Sequence, residues 1–289
     1  MGKFKSHISL LLNALNGTVR KWTYRFRSIP SLKCDDTSHT AELVVSLTSF
    51  GRRVNNTVYY TILSIFNQTL PPNRIVLWLD SDNWNKDNLP EKLKKLTNKG
   101  LEIRFCEDIR SYKKLIPTLE LYPDAIIITV DDDVIYSPKL IESLYNSYMA
   151  NPNAVHCSYA SKVRFVNQVP VPYRQWIPAD SNICEKNEYI FPIGIGGVLY
   201  PPHALHLDVL DRDKFRRLAP EADDMWFWYM ARINGRSHCY VPLKPNIYSF
   251  DAIYQALHRG SALTHSNVGE NRNDVQLAAI LKEYKNKKI

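Results

Sequence analysis

The sequence predicts an α/β protein with a mostly parallel central sheet flanked by helices. Three observations carry this. Apolar, β-branched runs stand at LVVSLTS (43–49), RIVLWLD (74–80) and AIIITV (125–130), the pattern of strands buried on both faces. Segments of helical character lie between them. Gly and Pro punctuate the joins, as at Pro71-Pro72 and Gly100.

Element by element, residues 1–30 form the first unit. Phe4, Ile8, Leu11, Leu12, Leu15, Val19, Trp22 and Phe26 recur at spacings of three and four among basic residues, which predicts an N-terminal amphipathic helix ending at Pro30. Two destinations fit it: an anionic membrane interface, or the body of the protein with the basic face in water. Residues 31–40 read as a polar linker. A first strand over 43–49 is followed by a helix over 54–68. A second strand (74–80) ends in Asp80. A charged helix over 89–99 closes on Gly100 as C-cap. LEIRF (101–105) is a third strand, and 116–122 a short helix. AIIITV is the fourth and most buried strand, and the helix after it starts with Ser137-Pro138 as N-cap and first turn. Residues 41–150 thus form one half, with ligands expected at the carboxyl ends of its strands. Residues 151–250 make a second half whose opening stretch, 151–192, is rich in Pro, Tyr, Trp and Asn and lacks clear periodicity. Residues 251–289 add a loop and a final helix.

Composition narrows the function classes. The 289 residues carry 37 Lys and Arg against 29 Asp and Glu, a net charge of +8. Seven of those bases and no acid lie in residues 1–33, and 282–289 hold four bases and one acid. The body is close to neutral, which argues against a nucleic-acid grip and for an anionic surface met by the termini. No GxGxxG follows the first strand and no GxxxxGK[ST] occurs, so dinucleotide redox chemistry and P-loop hydrolysis lose ground. The five cysteines are widely spaced and show no zinc pattern, and a reducing cytosol is their simplest reading. The longest N-terminal apolar stretch, 8–15, is far short of the roughly 20 residues that span a bilayer.

The chemistry concentrates in acids. Asp131-Asp132-Asp133 stands directly after the fourth strand. Carboxylates crowded at the end of a buried strand need a cation, and a hard divalent ion such as Mg²⁺ or Mn²⁺ suits oxygen ligands and phosphate. The plain alternative is an acidic turn ahead of a helix. PEADDMWFWYMARING (220–235) is the second acidic site, where Asp223 could simply cap a helix.

AIIITVDDDVIYSPKLIESL, the opening VSLTSFGRRV with NQTLPP and IVLWLD, and the later PEADDMWFW resemble GT-A fold glycosyltransferases, the family-2-like branch with its DxD motif, over roughly residues 41–250. The resemblance implies a nucleotide-sugar across the first half of the sheet. Metal would be held by Asp133 with Asp131, and by His265 in the late polar loop, His258 being the weaker rival. Donor contacts would come from Thr48, Ser49, Phe50, Arg52, Asp80, Asp131 and Asp132. Lys113 and Lys114 would reach uracil or phosphate unless they form a solvated basic face. Gly196 and Gly197, with Gly194, would line the donor-sugar pocket, and Tyr173, Trp176 and Tyr189 could stack on sugars. Asp224, ahead of Asp223, would be the base that deprotonates an acceptor hydroxyl in an inverting transfer. The downstream Arg-Trp pair of many family-2 enzymes is missing, which leaves retention open.

The function so implied is transfer from a nucleotide-sugar, UDP-linked by preference, to a glycan hydroxyl. The acceptor would be a glycan or lipid-linked glycan in bacterial surface polysaccharide synthesis (capsule, O-antigen or lipooligosaccharide). The enzyme would sit in the cytoplasm, peripheral on the inner membrane, with Mn²⁺ or Mg²⁺ and no nucleic acid. The rivals are a sugar nucleotidyltransferase, against which the glycine-poor SLTSFGRRV speaks, and a non-catalytic membrane-associated glycan-binding protein.

Overall fold

The computed structural model describes residues 19–24, 26–32, 41–167, 169–181, 183–184, 189–243, 247–248 and 271–285. A helical segment at 19–23 (α1) comes first. Then follow β1 (Leu43–Thr48), α2 (Arg52–Asn55), α3 (Val58–Phe66), β2 (Arg74–Asp80), α4 (Glu91–Thr97) and β3 (Leu101–Cys106). A 3₁₀ turn at Arg110–Lys114 leads into α5 (Ile116–Leu121), β4 (Ile126–Thr129), β5 (Ile135–Tyr136) and α6 (Leu140–Ala150). The second half holds β6 (Ala154–Cys157), β7 (Ala160–Val163), the ribbon of β8 (Phe165–Val166) and β9 (Val169–Pro170), β10 (Ile177–Pro178), β11 (Ile183–Cys184) and β12 (Tyr189–Pro192). It ends with β13 (Val198–Tyr200), α7 (Arg212–Leu218), α8 (Asp223–Ile233), β14 (Ser237–Tyr240), β15 (Ile247–Tyr248) and α9 (Arg272–Glu283).

Eight strands form the central sheet in the order β11-β14-β6-β13-β4-β1-β2-β3. β4, β1, β2 and β3 are parallel, as their continuous apolar runs require. β13 runs antiparallel between β4 and β6, and β11 antiparallel to β14. Side chains alternate between two cores. Ile75, Leu77 and Leu79 of β2 face α3, α4 and α6, while Val76 and Trp78 face α5 and α8. Helix α8 is buried nearly all round: Met225, Trp226, Phe227, Trp228, Tyr229 and Met230 all lie in the core. The indoles of Trp226 and Trp228 donate to the carbonyls of Val209 and Ile190, at 3.3 and 3.0 Å. The two acids that open α8 therefore sit on a rigid support.

Several expectations need correcting. The helix over 54–68 divides at Asn56-Thr57 into α2 and α3. Ser137-Pro138 does not start α6; β5 uses the preceding residues, and Lys139 stands at the cap. The stretch 151–192 is less irregular than its sequence indicates, for β10, β7 and β12 form a small antiparallel sheet there. A disulfide joins Cys184 to Cys239 across the β11–β14 pair, so cysteine usage no longer argues for a reducing compartment. Helix α4 ends at Thr97 with Asn98 as its C-cap, so Gly100, at φ +102°, is not the cap and lies two residues beyond it. Among the described residues no helix is long and apolar enough to cross a membrane.

Most of the N-terminal amphipathic helix, the linker residues 33–40, and the loop carrying His258 and His265 lie outside the described residues. What is described of the N-terminal unit docks on the body. Tyr24 is buried in the core beside Ile29 and Leu32, the Lys21 ammonium lies 5.0 Å from the centre of the Tyr60 ring, and Leu32 N–H donates to the Lys99 carbonyl at 2.9 Å. The members of the apolar stripe point the other way: Trp22 is 62% and Phe26 75% exposed, with Val19 exposed beside them.

Candidate active site

The site is built where the sheet topology puts two distant acidic motifs side by side. β4 runs out at Thr129, and Val130 leads straight into the three aspartates. β13 enters from the opposite direction, with Val198 opposite Thr129, so the residues just before β13 lie at the same edge. Those residues are Gly194–Gly197. The Tyr136 hydroxyl clasps both motifs: it accepts from Asp131 N–H at 2.8 Å and donates to the Ile195 carbonyl at 3.0 Å. Asp223 and Asp224, in the first turn of α8, complete the edge; Ala222 is the cap, and neither acid makes a capping hydrogen bond.

Lys114 is the joint. Its buried ammonium lies 2.9 Å from Asp223 Oδ2, 3.3 Å from Asp131 Oδ1 and 3.5 Å from Asp224 Oδ1. Burial alone would favour the neutral amine, but the three carboxylates outweigh it and hold Lys114 well above the ordinary lysine range. The other oxygen of Asp224, Oδ2, accepts the Gly194 N–H at 2.9 Å. Gly194 is needed there: a Cβ would lie 2.7 Å from Asp224 Oδ1 and 2.8 Å from Lys114 Nζ. Asp224 keeps 29% of its side chain open against 10% for Asp223. Burial pushes the Asp224 carboxyl up to about 6; Lys114 opposes this, and Asp223 and Asp131 add to it.

On the other side Arg53 serves the acidic run. Its guanidinium reaches Asp132 Oδ1 at 2.8 Å and Asp133 Oδ2 at 3.1 Å, and lies 5.1 Å from the centre of the Phe50 ring. Ser49 donates to Asp132 Oδ2 at 2.5 Å. Burial raises Asp133 to about 6 and raises Asp132 as well, with Arg53 opposing both. Side-chain exposure separates the three: 33% for Asp131, 5% for Asp132 and 21% for Asp133. Asp132 is thus consumed by Ser49 and Arg53 and is not presented to a sugar or ribose. Asp131 and Asp133 retain open oxygens, the hard donors that Mg²⁺ or Mn²⁺ prefers. Among the described residues no three His, Cys, Asp or Glu side chains converge on one point, so the residues fit a divalent ion only with further oxygens from a ligand.

The remaining sequence candidates divide. Thr48 Oγ1 donates to the Trp78 carbonyl at 2.9 Å. Asp80 is buried at the end of β2, where Oδ1 accepts from Asn83 N–H and Nδ2 at 2.9 and 2.6 Å. Arg52 is exposed, and its neighbour Arg53 is the one that turns to the acids. Lys113 pairs with Asp108, away from the acidic cluster, whereas Lys114 enters it. Gly196 and Gly197 are structural: a Cβ on Gly196 would strike Tyr159, and Gly197 sits at φ +90° against Leu140. Trp176 is buried among Tyr173, Phe191 and Trp228, and Tyr189 packs on Phe165 and under the Arg232 guanidinium at 4.1 Å, so these aromatics serve packing. Glu221 binds Arg110 and Arg272 and ties α9 to the start of α8. Arg53 escaped sequence reasoning because a one-turn helix gives no periodicity to tell it from Arg52. The signal available was the single buried apolar residue beside it, Val54.

No protein-family model matches the chain. No curated protein matches it in sequence. Solved structures do share its shape. S. aureus TarS 1–349 superposes with a TM-score of 0.50 at 15% identity, over 83% of this chain and 70% of that one. CMP:2-keto-3-deoxy-manno-octonic acid synthetase complexed with CTP gives 0.45 at 13% identity, over 77% and 100%. The mannosyltransferase PcManGT from Pyrobaculum calidifontis, in complex with GDP-Man and Mn²⁺, gives 0.35 at 12% identity, over 52% and 44%. At these identities the likeness is one of fold. The α/β architecture, with its mixed, mostly parallel eight-stranded sheet, is GT-A-like.

Proposed function

We propose that this protein is a glycosyltransferase that moves a sugar from a nucleotide-sugar to a glycan hydroxyl with inversion, Asp224 acting as base. The observation that carries the reading is the meeting of Asp131 and Asp224. They come from segments 93 residues apart and share one edge of the sheet, and in both motifs the more open acid faces outward. A sugar hydroxyl is a poor nucleophile and needs a base within hydrogen-bond reach. Asp224 suits this better than Asp223, since it is open, backed by Gly194 N–H, and raised to about 6, closer to neutral pH than an ordinary aspartate. Asp224 takes the hydroxyl proton, the acceptor oxygen bonds to the anomeric carbon, and the bond from that carbon to the diphosphate breaks.

Asp131 and Asp133 would hold a divalent ion together with the diphosphate; when bound, that ion neutralises charge on the leaving group. Arg53, paired with Asp132 Oδ1 and Asp133 Oδ2, would stand beside that diphosphate as a further cation. Thr48, Phe50 and Asp80 border the nucleotide. The outward stripe of Val19, Trp22 and Phe26, in a segment of seven bases and no acid, supports peripheral contact with an anionic membrane and hence a lipid-linked acceptor.

The test is a turnover screen across UDP- and GDP-sugars with and without Mn²⁺, repeated with Asp224→Asn. Metal-dependent release of the nucleoside diphosphate is expected from the wild type, and donor binding without transfer from the variant. Near-normal transfer by Asp224→Asn removes the base. Pyrophosphate release from a nucleoside triphosphate and a sugar phosphate would instead make the protein a nucleotidyltransferase.

A further inference from the structure

We infer that Lys114 is a positioning residue. One buried ammonium fixes the orientation of Asp224 and couples it to Asp131 on the donor side. The inference rests on the reading of Asp224 as base and adds what holds that base in place.

The geometry is that of a tripod. An ammonium has three N–H donors and no acceptor. Lys114 donates to Asp131 Oδ1 at 3.3 Å, in the turn after β4, and forms ion pairs with Asp223 and Asp224 in the first turn of α8. Asp223 is the innermost and makes the shortest contact, 2.9 Å, so it anchors the lysine. Asp224 is then gripped on both oxygens, by Lys114 at Oδ1 and by Gly194 N–H at Oδ2. One hydrogen bond at Oδ2 and the ammonium's charge beside Oδ1 hold the carboxylate from two sides. Asp131 shares the same ammonium, so a donor that displaces Asp131 is felt at Asp224 through a single group.

The same contacts speak against the role that the resemblance implied for Lys114. An ammonium engaged by three carboxylates is not available to a diphosphate, and it lies behind Asp131 and Asp224, the more open acids.

The experiment measures kcat and donor KM for Lys114→Met and Lys114→Ala, with Asp224→Asn alongside. Lys114→Met is expected to lower kcat by about 100-fold, the order expected when a general base loses its alignment, while donor KM changes less than about threefold. Ethylammonium chloride should restore part of the kcat of Lys114→Ala by refilling the ammonium site. Tetramethylammonium chloride at equal ionic strength should not. Because Lys114→Met leaves three carboxylates without their cation, the double variant Lys114→Met, Asp223→Asn guards against misfolding. It should melt near the wild type and remain slow.

Unchanged kcat with raised donor KM would make Lys114 a phosphate ligand and overturn the inference. So would a folded double variant with wild-type kcat, or a kcat loss that neither ammonium ion restores. If Asp224→Asn is itself active, the base assignment fails first. If Asp224→Asn is inactive and Lys114→Met is fast, the inference alone fails.

Discussion

Gly194→Ala perturbs the proposed base without removing a charge. Gly194 does not occupy the positive-φ region, so alanine is compatible with its backbone, and the lower entropy of the unfolded chain favours the variant by a few tenths of a kcal/mol or more. The new methyl would lie 2.7 Å from Asp224 Oδ1 and 2.8 Å from Lys114 Nζ, whereas ordinary contact begins at 3.4 Å. One or both groups must retreat, and the deficit at the carboxylate is about 0.7 Å. A displacement of about 1 Å at a reacting group costs roughly 100-fold in rate, so 0.7 Å predicts a loss between about 10- and 100-fold. That corresponds to about 1.4–2.7 kcal/mol of transition-state stabilisation. The assay pairs the kcat of nucleoside diphosphate release with a melting curve. Gly196→Ala is the contrasting variant, since its methyl meets Tyr159 Cβ and backbone and should lower the melting temperature. Gly194→Ala should be slow and stable. A kcat within twofold of wild type at unchanged melting temperature would refute the placement of the base.

Other expectations follow from the same contacts. Asp224 at about 6 places the acid limb of the kcat profile near pH 6, with activity lost as the pH falls and the carboxylate takes a proton. Asp133 is raised to about 6, so the folded state binds its proton more tightly than the unfolded chain, and stability from this group is present below about pH 4 and lost as the pH rises through 6. Asp133→Asn should therefore raise the melting temperature at pH 8 by roughly 6 °C and by roughly a third of that at pH 4.5, as read by calorimetry. Arg53→Met leaves Asp132 buried without its cation and should destabilise by about 3–5 kcal/mol. Added Mn²⁺ should recover more melting temperature in that variant than in the wild type. Trp22→Ser with Phe26→Ser should weaken sedimentation with anionic liposomes about tenfold or more while leaving transfer to a soluble acceptor unchanged, as burial of two large aromatics implies.

The first half of the fold was legible because its strands are buried on both faces. Continuous runs such as AIIITV admit little else, and the four strand positions agree with the sequence reading within about two residues at any end. The second half was not, since β6, β7, β12 and β13 have three or four residues each, too few for periodicity to declare itself. The same limit applies within the site. Acid after a buried strand is readable, and so is acid before an amphipathic run. Which basic residue neutralises which acid depends on directions set by tertiary packing: Lys113 and Lys114 are neighbours and diverge, and so do Arg52 and Arg53. Asp223 resembled a helix cap because its spacing from the apolar run fits one, but Lys114 competes for it and wins.

The reversed direction of β13 also makes part of the chain exchangeable. The excursion from Ala160 to Pro192 leaves the central sheet just after Ser158, rejoins its far edge through β11 beside β14, and returns just before Gly194. Its base is closed by Ser158 N–H on the Gly197 carbonyl at 3.3 Å and Ile193 N–H on the Tyr159 carbonyl at 3.0 Å, and β7 pairs with β12 above that closure. Asp131 and Gly194 are registered by β4 and β13, and the excursion contributes nothing to that register. Within the excursion, β11, the Cys184–Cys239 disulfide and the Ile190 carbonyl under Trp228 tie it to β14 and α8, so the exchangeable part is the ribbon of β8 and β9, where Val166 and Val169 are exposed. Change confined to that ribbon alters the surface around the site while Asp131 and Gly194 keep their register.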